Sequence, residues 1–454
     1  MTDVVERLDE ALPGRVESNP DRLAEYTTDR SGHRGDGLPL ACVRARSIED
    51  VQTVCRIATE AGCPIVTRGA GSGLAGGAVA GAGEIVLLLD EMNRVLEVSA
   101  ENRLAVVEPG ILNGKLNLLL AERGLWWPPD PASKDFSTVG GNIAMNAGGL
   151  LCAKYGVTRE AVLALKVVLA DGTLMSLGHR TVKGVTGYDL CALMIGSEGT
   201  LGIIVECTVK LQALRADDAV TIGAFFDTVD SAATAVSNVV RQGLVPSMME
   251  LMDGRTLAAI ESHSGQRPEG PGDAYLLVQC DGADAEIVAG AIADIARNGR
   301  GLVEITRDPV ESARLVAVRR NAFPALESLG TLLVEDIAVP RDRLADAFAA
   351  IRRIEQKYGV TIPTTAHAGD GNLHPTFVYT EDEVPAHIWE AAGEVFSLAL
   401  ELGGTLTGEH GVGVLKRAWL KDELGEEQYE LSKRLKRVFD PQGLLNPGKV
   451  FPAD

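Results

Sequence analysis

Apolar positions along this chain follow two periods that take turns. Val51, Val54, Ile57 and Ala58 fall on one face of a 3.6-residue repeat, behind Ser47-Ile48-Glu49-Asp50, which has the form of a helix N-cap. Gly62 stops that helix, and residues 63–67 (CPIVT) then read as a buried strand. Residues 85–89 (IVLLL) read as another. From about residue 216 the pattern alternates strands, such as 219–226 (AVTIGAFF), with helices, such as SAATAVSNVVRQG. This β-α-β rhythm predicts a ferredoxin-like unit with one antiparallel sheet. Residues 264–272 read as a surface loop and 311–330 as helical, and a further helix follows Pro340.

Between the first two strands lies Arg68-Gly69-Ala70-Gly71-Ser72-Gly73-Leu74-Ala75-Gly76-Gly77. A Rossmann loop would open an amphipathic helix, whereas this run leads into a strand. Successive N–H groups of such a loop can still form a phosphate-binding nest; the plainer alternative is a flexible glycine hairpin. Two more runs of this kind follow, at 128–149 (PPDPAS through TVGGNIAMNAGG) and at 183–204 (KGVTGYDL through GSEGTLGII). Their prolines and glycines disfavour a long helix or a regular strand. Three such loops, each flanked by strands, point to one extended ligand. The expected organisation is an N-terminal helix and loop over 1–37, a ligand-binding domain over 38–215, a cap domain over 216–415, and a C-terminal segment over 416–454.

Composition narrows the class. Apolar residues make up 46% of the 454 and charged residues 23%, as in an ordinary globular protein. The net charge of −20 argues against nucleic acid or an anionic membrane surface as partner, and it means that an acidic substrate needs a locally basic pocket. No run of 18 apolar residues predicts a transmembrane helix, and the N-terminus lacks a signal-peptide core. Seven unpatterned cysteines suggest reduced thiols and a cytoplasmic location; without a C-x-x-C, no iron–sulfur cluster is expected.

The candidate chemistry lies late in the chain, in 364–375 (TTAHAGDGNLHP) and 407–413 (TGEHGVG), which hold three of the seven histidines. The run between His367 and His374 reads as a strand end and tight turn that brings two imidazoles to one point. With Glu409 they form a two-His, one-carboxylate set suited to Zn²⁺ with an open position, or to Fe²⁺ or Mn²⁺. Asp370 is an alternative ligand in place of one His, and loop histidines are also common as plain surface residues. His410, beside the carboxylate, is placed to act as a base.

Taken together, TRGAGSGLAGG, PPDPAS…TVGGNIAMNAGG, GYDLCALMIGSEGTLGII, HAGDGNLHP, GEHGVG and PQGLLNPGK resemble the vanillyl-alcohol oxidase/p-cresol methylhydroxylase superfamily. The histidine segments resemble its D-2-hydroxyacid dehydrogenase branch, which includes the glycolate oxidase catalytic subunit, D-lactate dehydrogenase and D-2-hydroxyglutarate dehydrogenase. The resemblance covers roughly residues 35–454. It implies an α+β fold: a two-subdomain FAD-binding fold of the p-cresol methylhydroxylase type, then a ferredoxin-like antiparallel-sheet substrate domain. It also implies FAD, held by Arg68, Gly69, Ala70, Gly71, Ser72, Gly73, Gly76 and Gly77 around the pyrophosphate. Pro129, Asp130, Ser133, Thr138, Gly141, Asn142, Asn146 and Gly148 would line the ring and ribityl chain. Glu198, Gly199, Gly202 and Ile204 would hold the adenosine end, and Asn446 would return to the ring. No His lies between His33 and His179, so FAD is expected to be non-covalent, with Cys152 as the alternative tether.

The resemblance further implies Arg319 (or its neighbour Arg320) as the cation for a substrate carboxylate, with Asn372 helping to hold substrate or metal. The D-2-hydroxyglutarate members carry Thr and Lys where this chain has Phe323 and Val334. That departure favours D-lactate, glycolate or another small or apolar 2-hydroxyacid over D-2-hydroxyglutarate. Expected electron acceptors are an iron–sulfur subunit, an electron-transfer flavoprotein, a quinone or a cytochrome, and a homodimer is a compatible assembly. Two rival readings are a related flavoprotein with other chemistry on lipids and a non-catalytic scaffold. HAGDGNLHP opposes the first, and a base beside a metal set opposes the second.

Overall fold

The computed structural model describes residues 2–214, 219–265 and 270–453. The domain boundary expected at 215/216 and the middle of the loop expected at 264–272 lie outside the described residues. The chain divides into two compact units. The first comprises Met1–Gly148, Gly156–Leu214 and Glu409–Asp454; the second comprises Gly149–Tyr155 and Arg215–Gly408.

In the first unit, Ser47 caps the helix Ile48–Ala61 by accepting from Asp50 N at 3.2 Å, and Gly62 closes it at φ +60°. The apolar face of this helix (Val51, Val54, Cys55, Ala58) packs with Val43, Ile65, Ile85 and Leu87 of the adjoining sheet. Each fully buried aliphatic side chain there contributes about 1.5–3 kcal/mol. The sheet has the order Val16–Glu17, Ala41–Arg44, Ile85–Leu88, Ile65–Arg68. Its last three strands are parallel, with Ile65 opposite Ile85. The glycine run is therefore a crossover and not a hairpin, because a tight turn joins only antiparallel strands. The N-terminal 37 residues hold more than a helix and loop: Val16–Glu17 joins this sheet at its edge. A second sheet, antiparallel throughout, is built from Val95–Ser99, Leu104–Val107, Ile203–Lys210, Val162–Val168 and Leu174–Gly178. The run 128–149 contains one short helix, Val139–Met145, capped by Thr138 and ended by Asn146 at φ +51°. The C-terminal segment returns to the first sheet, where Ile65 N donates to Leu444 O and Asn446 N to Ile65 O, both at 2.8 Å.

In the second unit, Val220–Phe226, Met248–Asp253, Ala274–Cys280 and Leu302–Thr306 stand in the spatial order fourth, first, third, second, all antiparallel. This is the ferredoxin-like arrangement, with one additional helix, Gly254–Ser264, between the second and third strands. The hairpin Thr364–His367/Asn372–Tyr379 extends the sheet by pairing with Met248–Asp253. Helices Pro309–Arg320 and Ala322–Glu327 occupy the region expected to be helical, and Leu344–Tyr358 follows Pro340.

Candidate functional site

The glycine loop of the first unit is shaped by its own side chains. Arg68 Nη1 donates to Thr28 O and Ala78 O, both at 2.9 Å, and its guanidinium lies over the Tyr26 ring. A Cβ on Gly69 would lie 2.4 Å from Thr138 Oγ1, so a glycine here lets the loop meet the start of the helix Val139–Met145. A Cβ on Gly73 would meet nothing within 4 Å, so the loop borders open space at that point. Asn446 ties the loops together. Its Oδ1 accepts from Thr67 N at 3.1 Å, and its Nδ2 donates to Glu198 O at 2.7 Å and to Gly77 O at 3.3 Å. Gly202 and Ile204 lie at the start of a strand of the second sheet, with Val167 beside both. Pro129 is buried, Asp130 and Ser133 are half-buried, and Gly199 lies against the Asn446 side chain.

This cradle contains polar atoms that the protein itself does not satisfy. Thr67 Oγ1, Ser137 Oγ and Asn142 Nδ2 are buried and have no hydrogen-bond partner among the described residues. Unpaired buried groups of this kind cost about 1–3 kcal/mol each, so a polar ligand that supplied partners would be strongly favoured. A flavin nucleotide, with its phosphates, ribityl hydroxyls and ring carbonyls, fits that demand. Thr67 and Ser137 were not picked out by motif reasoning. The only available signal was position: Thr67 ends the strand before one glycine-rich run, and Ser137 lies inside another.

Glu198 behaves differently from a ligand contact. Its two carboxylate oxygens accept from Val412 N and Gly413 N, both at 2.7 Å, and so hold the GEHGVG turn. Gly413, at φ +50°, presses against Ala75 O, where a Cβ would come within 1.9 Å. A Cβ on Gly148 would lie 2.2 Å from Glu409 Oε2, so Gly148 makes room for that carboxylate. Burial pushes the Glu198 carboxyl up to about 7, against the opposing pull of the Val412 and Gly413 amides and Lys416. A carboxyl raised from 4.5 in the unfolded chain to about 7 in the folded one favours the protonated fold. Its contribution is present below pH 4.5 and is lost as the pH rises to 7. We expect the stability of wild type relative to Glu198→Gln to fall by about 3 kcal/mol between pH 4.5 and 7.5, as measured by paired denaturant melts. A flat difference would contradict this.

In the second unit the hairpin sets the histidine geometry. His367 pairs with Asn372 and Thr365 with His374, so all four side chains share one face. The two imidazole rings stand 5.0 Å apart, edge to face, and both are buried. Glu409 follows Gly408 directly in the chain, and ligand atoms of His367, His374 and Glu409 lie within 4.8 Å of one another. Two imidazoles and a carboxylate at that spacing form a donor set that fits a divalent cation. His410 is half-buried in the adjoining turn.

Motif reading missed the residues behind this face. Glu250, fully buried, places Oε1 2.7 Å from His367 Nδ1 and accepts from Arg319 Nε on Oε2 at 2.9 Å. Burial alone would raise its carboxyl, but the His367 ring and the Arg319 guanidinium hold it below its ordinary value. Asp336 accepts from Asn372 Nδ2 at 2.6 Å and from Thr407 Oγ1 at 2.5 Å. Asn372 Nδ2 also donates to Ile337 O at 2.8 Å, so its amide has its oxygen left to offer. An acid in the middle of the apolar run MMELM was the available hint for Glu250. Arg319 is mostly buried and Arg320 exposed, while Phe323 and Val334 are half-buried.

Residues 39–178 match the FAD binding domain family, and residues 215–450 match the FAD linked oxidases, C-terminal domain. The crystal structure of p-cresol methylhydroxylase with substrate bound aligns with a TM-score of 0.82 over 100% of this chain and 97% of that one, at 17% identity. Fold and family match define the class: an FAD-dependent oxidoreductase with an α+β fold of the p-cresol methylhydroxylase type. Glycolate oxidase subunit GlcD of Bacillus subtilis is 38% identical over 99% of this chain and 95% of its own. A D-lactate dehydrogenase of Anaerostipes hadrus is 34% identical over 99% of this chain and 97% of its own. The chain belongs to the FAD-linked oxidase family, with glycolate oxidase subunit GlcD and D-lactate dehydrogenase among its relatives. Among the described residues no helix is long and apolar enough to cross a membrane.

Proposed function

We propose that this protein oxidises a small D-2-hydroxyacid, D-lactate or glycolate, to the 2-oxoacid. The observation that carries the reading is the buried pair His367 and His374 with the Glu409 carboxylate at ligand distance, in a chain of this flavoprotein family. FAD would supply the two-electron acceptor, and a divalent ion, zinc first and manganese or iron as alternatives, would supply Lewis acidity.

The protein's own residues then divide the work. His367, His374 and Glu409 would hold the ion. Arg319 would meet the substrate carboxylate with its terminal nitrogens, since its Nε donates to Glu250. Asn372, with both N–H groups engaged, would help to hold substrate or metal through Oδ1. His410 would take the hydroxyl proton as the Cα hydrogen leaves with its electron pair, so that an alcohol becomes a carbonyl. The pyrophosphate would lie along Arg68–Gly77, with Gly69, Ala70, Gly71, Ser72, Gly73 and Gly76 closest. The ring and ribityl chain would lie among Pro129, Asp130, Ser133, Thr138, Gly141, Asn142, Asn146 and Gly148. Glu198, Gly199, Gly202, Ile204 and Asn446 would complete the binding, Glu198 through the backbone it fixes.

The apolar Phe323 and Val334 support a substrate without a second carboxylate, because a distal charge that lacks a partner is heavily penalised. D-2-hydroxyglutarate is therefore the second choice. The direct test is anaerobic mixing of the purified yellow protein with a panel of D- and L-2-hydroxyacids, watching flavin absorbance. Bleaching should be fastest with D-lactate or glycolate. Bleaching by D-2-hydroxyglutarate alone, or by none of the acids, would overturn the assignment.

A further inference from the structure

Glu250 stands directly opposite His367 in the strand pairing of Met248–Asp253 with Thr364–His367, on the same face of the sheet. It is fully buried, as are its strand neighbours Met248, Met249, Leu251 and Met252. One oxygen, Oε2, accepts from Arg319 Nε at 2.9 Å; the other, Oε1, lies 2.7 Å from His367 Nδ1. We propose that Glu250 is a positioning residue that fixes His367 as the Nδ1–H tautomer, leaving the Nε2 lone pair for a divalent cation, while the same carboxylate orients Arg319. The proposal rests on the metal and arginine roles argued above and names the residue that joins them.

The chemistry follows from counting donors. A neutral imidazole has one N–H and one lone pair, and a carboxylate only accepts. The short contact at Nδ1 therefore places the hydrogen there and the lone pair at Nε2. A carboxylate behind a ligating imidazole also makes it a stronger donor, and its loss typically weakens metal binding about 10–100-fold. The two histidines are not held alike. Asp336 Oδ1 is 4.0 Å from His374 Nδ1, beyond hydrogen-bond reach, and it accepts from Asn372 at 2.6 Å. At His367 Nδ1 a carboxylate is in direct contact with the ring, and that carboxylate also bears the arginine.

The experiment uses the FAD-loaded protein. Chelator competition with zinc should show Glu250→Gln binding about 10–100-fold more weakly than wild type, with FAD content unchanged. Equal affinities would overturn the role given to Glu250. Absence of zinc binding by wild type would instead overturn the metal reading on which it rests. A second measurement needs no substitution at Glu250. Nitrogen-15 histidine spectra of metal-free wild type, with His367 assigned by its loss in His367→Gln, should show Nδ1–H and an unprotonated Nε2. An Nε2–H tautomer would sink the proposal even if Glu250→Gln failed to fold.

Discussion

Alanine at position 374 should strip the protein of the proposed divalent ion and lower turnover by roughly 10³-fold, because Lewis-acid assistance supplies several kcal/mol of transition-state stabilisation. His374 lies in the middle of a hydrogen-bonded strand, opposite Thr365, and its backbone pairing does not depend on its side chain. The substitution removes one of two buried imidazoles whose rings are 5.0 Å apart, leaving one imidazole and one carboxylate. Two donors are too few to retain zinc against a competing chelator. The glycine loops and Asn446 belong to the other unit, so FAD per chain should be unchanged. Metal analysis alongside absorbance at the flavin band checks both halves of this prediction. An undiminished metal content would show that the ligands are wrongly assigned.

His410→Ala should give the opposite signature. Loss of a positioned base typically costs 10²–10⁴-fold, so anaerobic flavin bleaching should slow by that factor while both metal and FAD remain. The turn that carries His410 should survive, because it is held from elsewhere. Glu198 accepts from the amides of Val412 and Gly413, and Val414 N donates to Ala75 O at 2.9 Å. Neither contact uses the imidazole. Bleaching at the wild-type rate would transfer the base role to another group. Read together, the two variants separate holding the ion from moving the proton.

Much of the local structure could be read from adjacent residues. Ser47 and Gly62 marked both ends of their helix, since a cap hydrogen bond and a left-handed stop involve only near neighbours. The turn 368–371 announced itself through two glycines around Asp370, and the hairpin it closes sets the spacing of His367 and His374. Strand pairing was less legible. The glycine run joins parallel strands, and Val16–Glu17 pairs with Ala41–Arg44, because neighbours in a sheet are chosen by tertiary packing.

By itself, the sequence determined the elements, the family motifs and the histidines, all of which depend on residue type at short spacing. Only the tertiary structure decided what stands behind them. Glu250 meets His367 across 117 positions of chain, Asp336 meets Asn372 across 36, and Glu198 meets the turn at 412–413 across more than 200. A buried carboxylate is tolerated only where donors from distant segments converge on it, and that convergence is a property of the packed sheets.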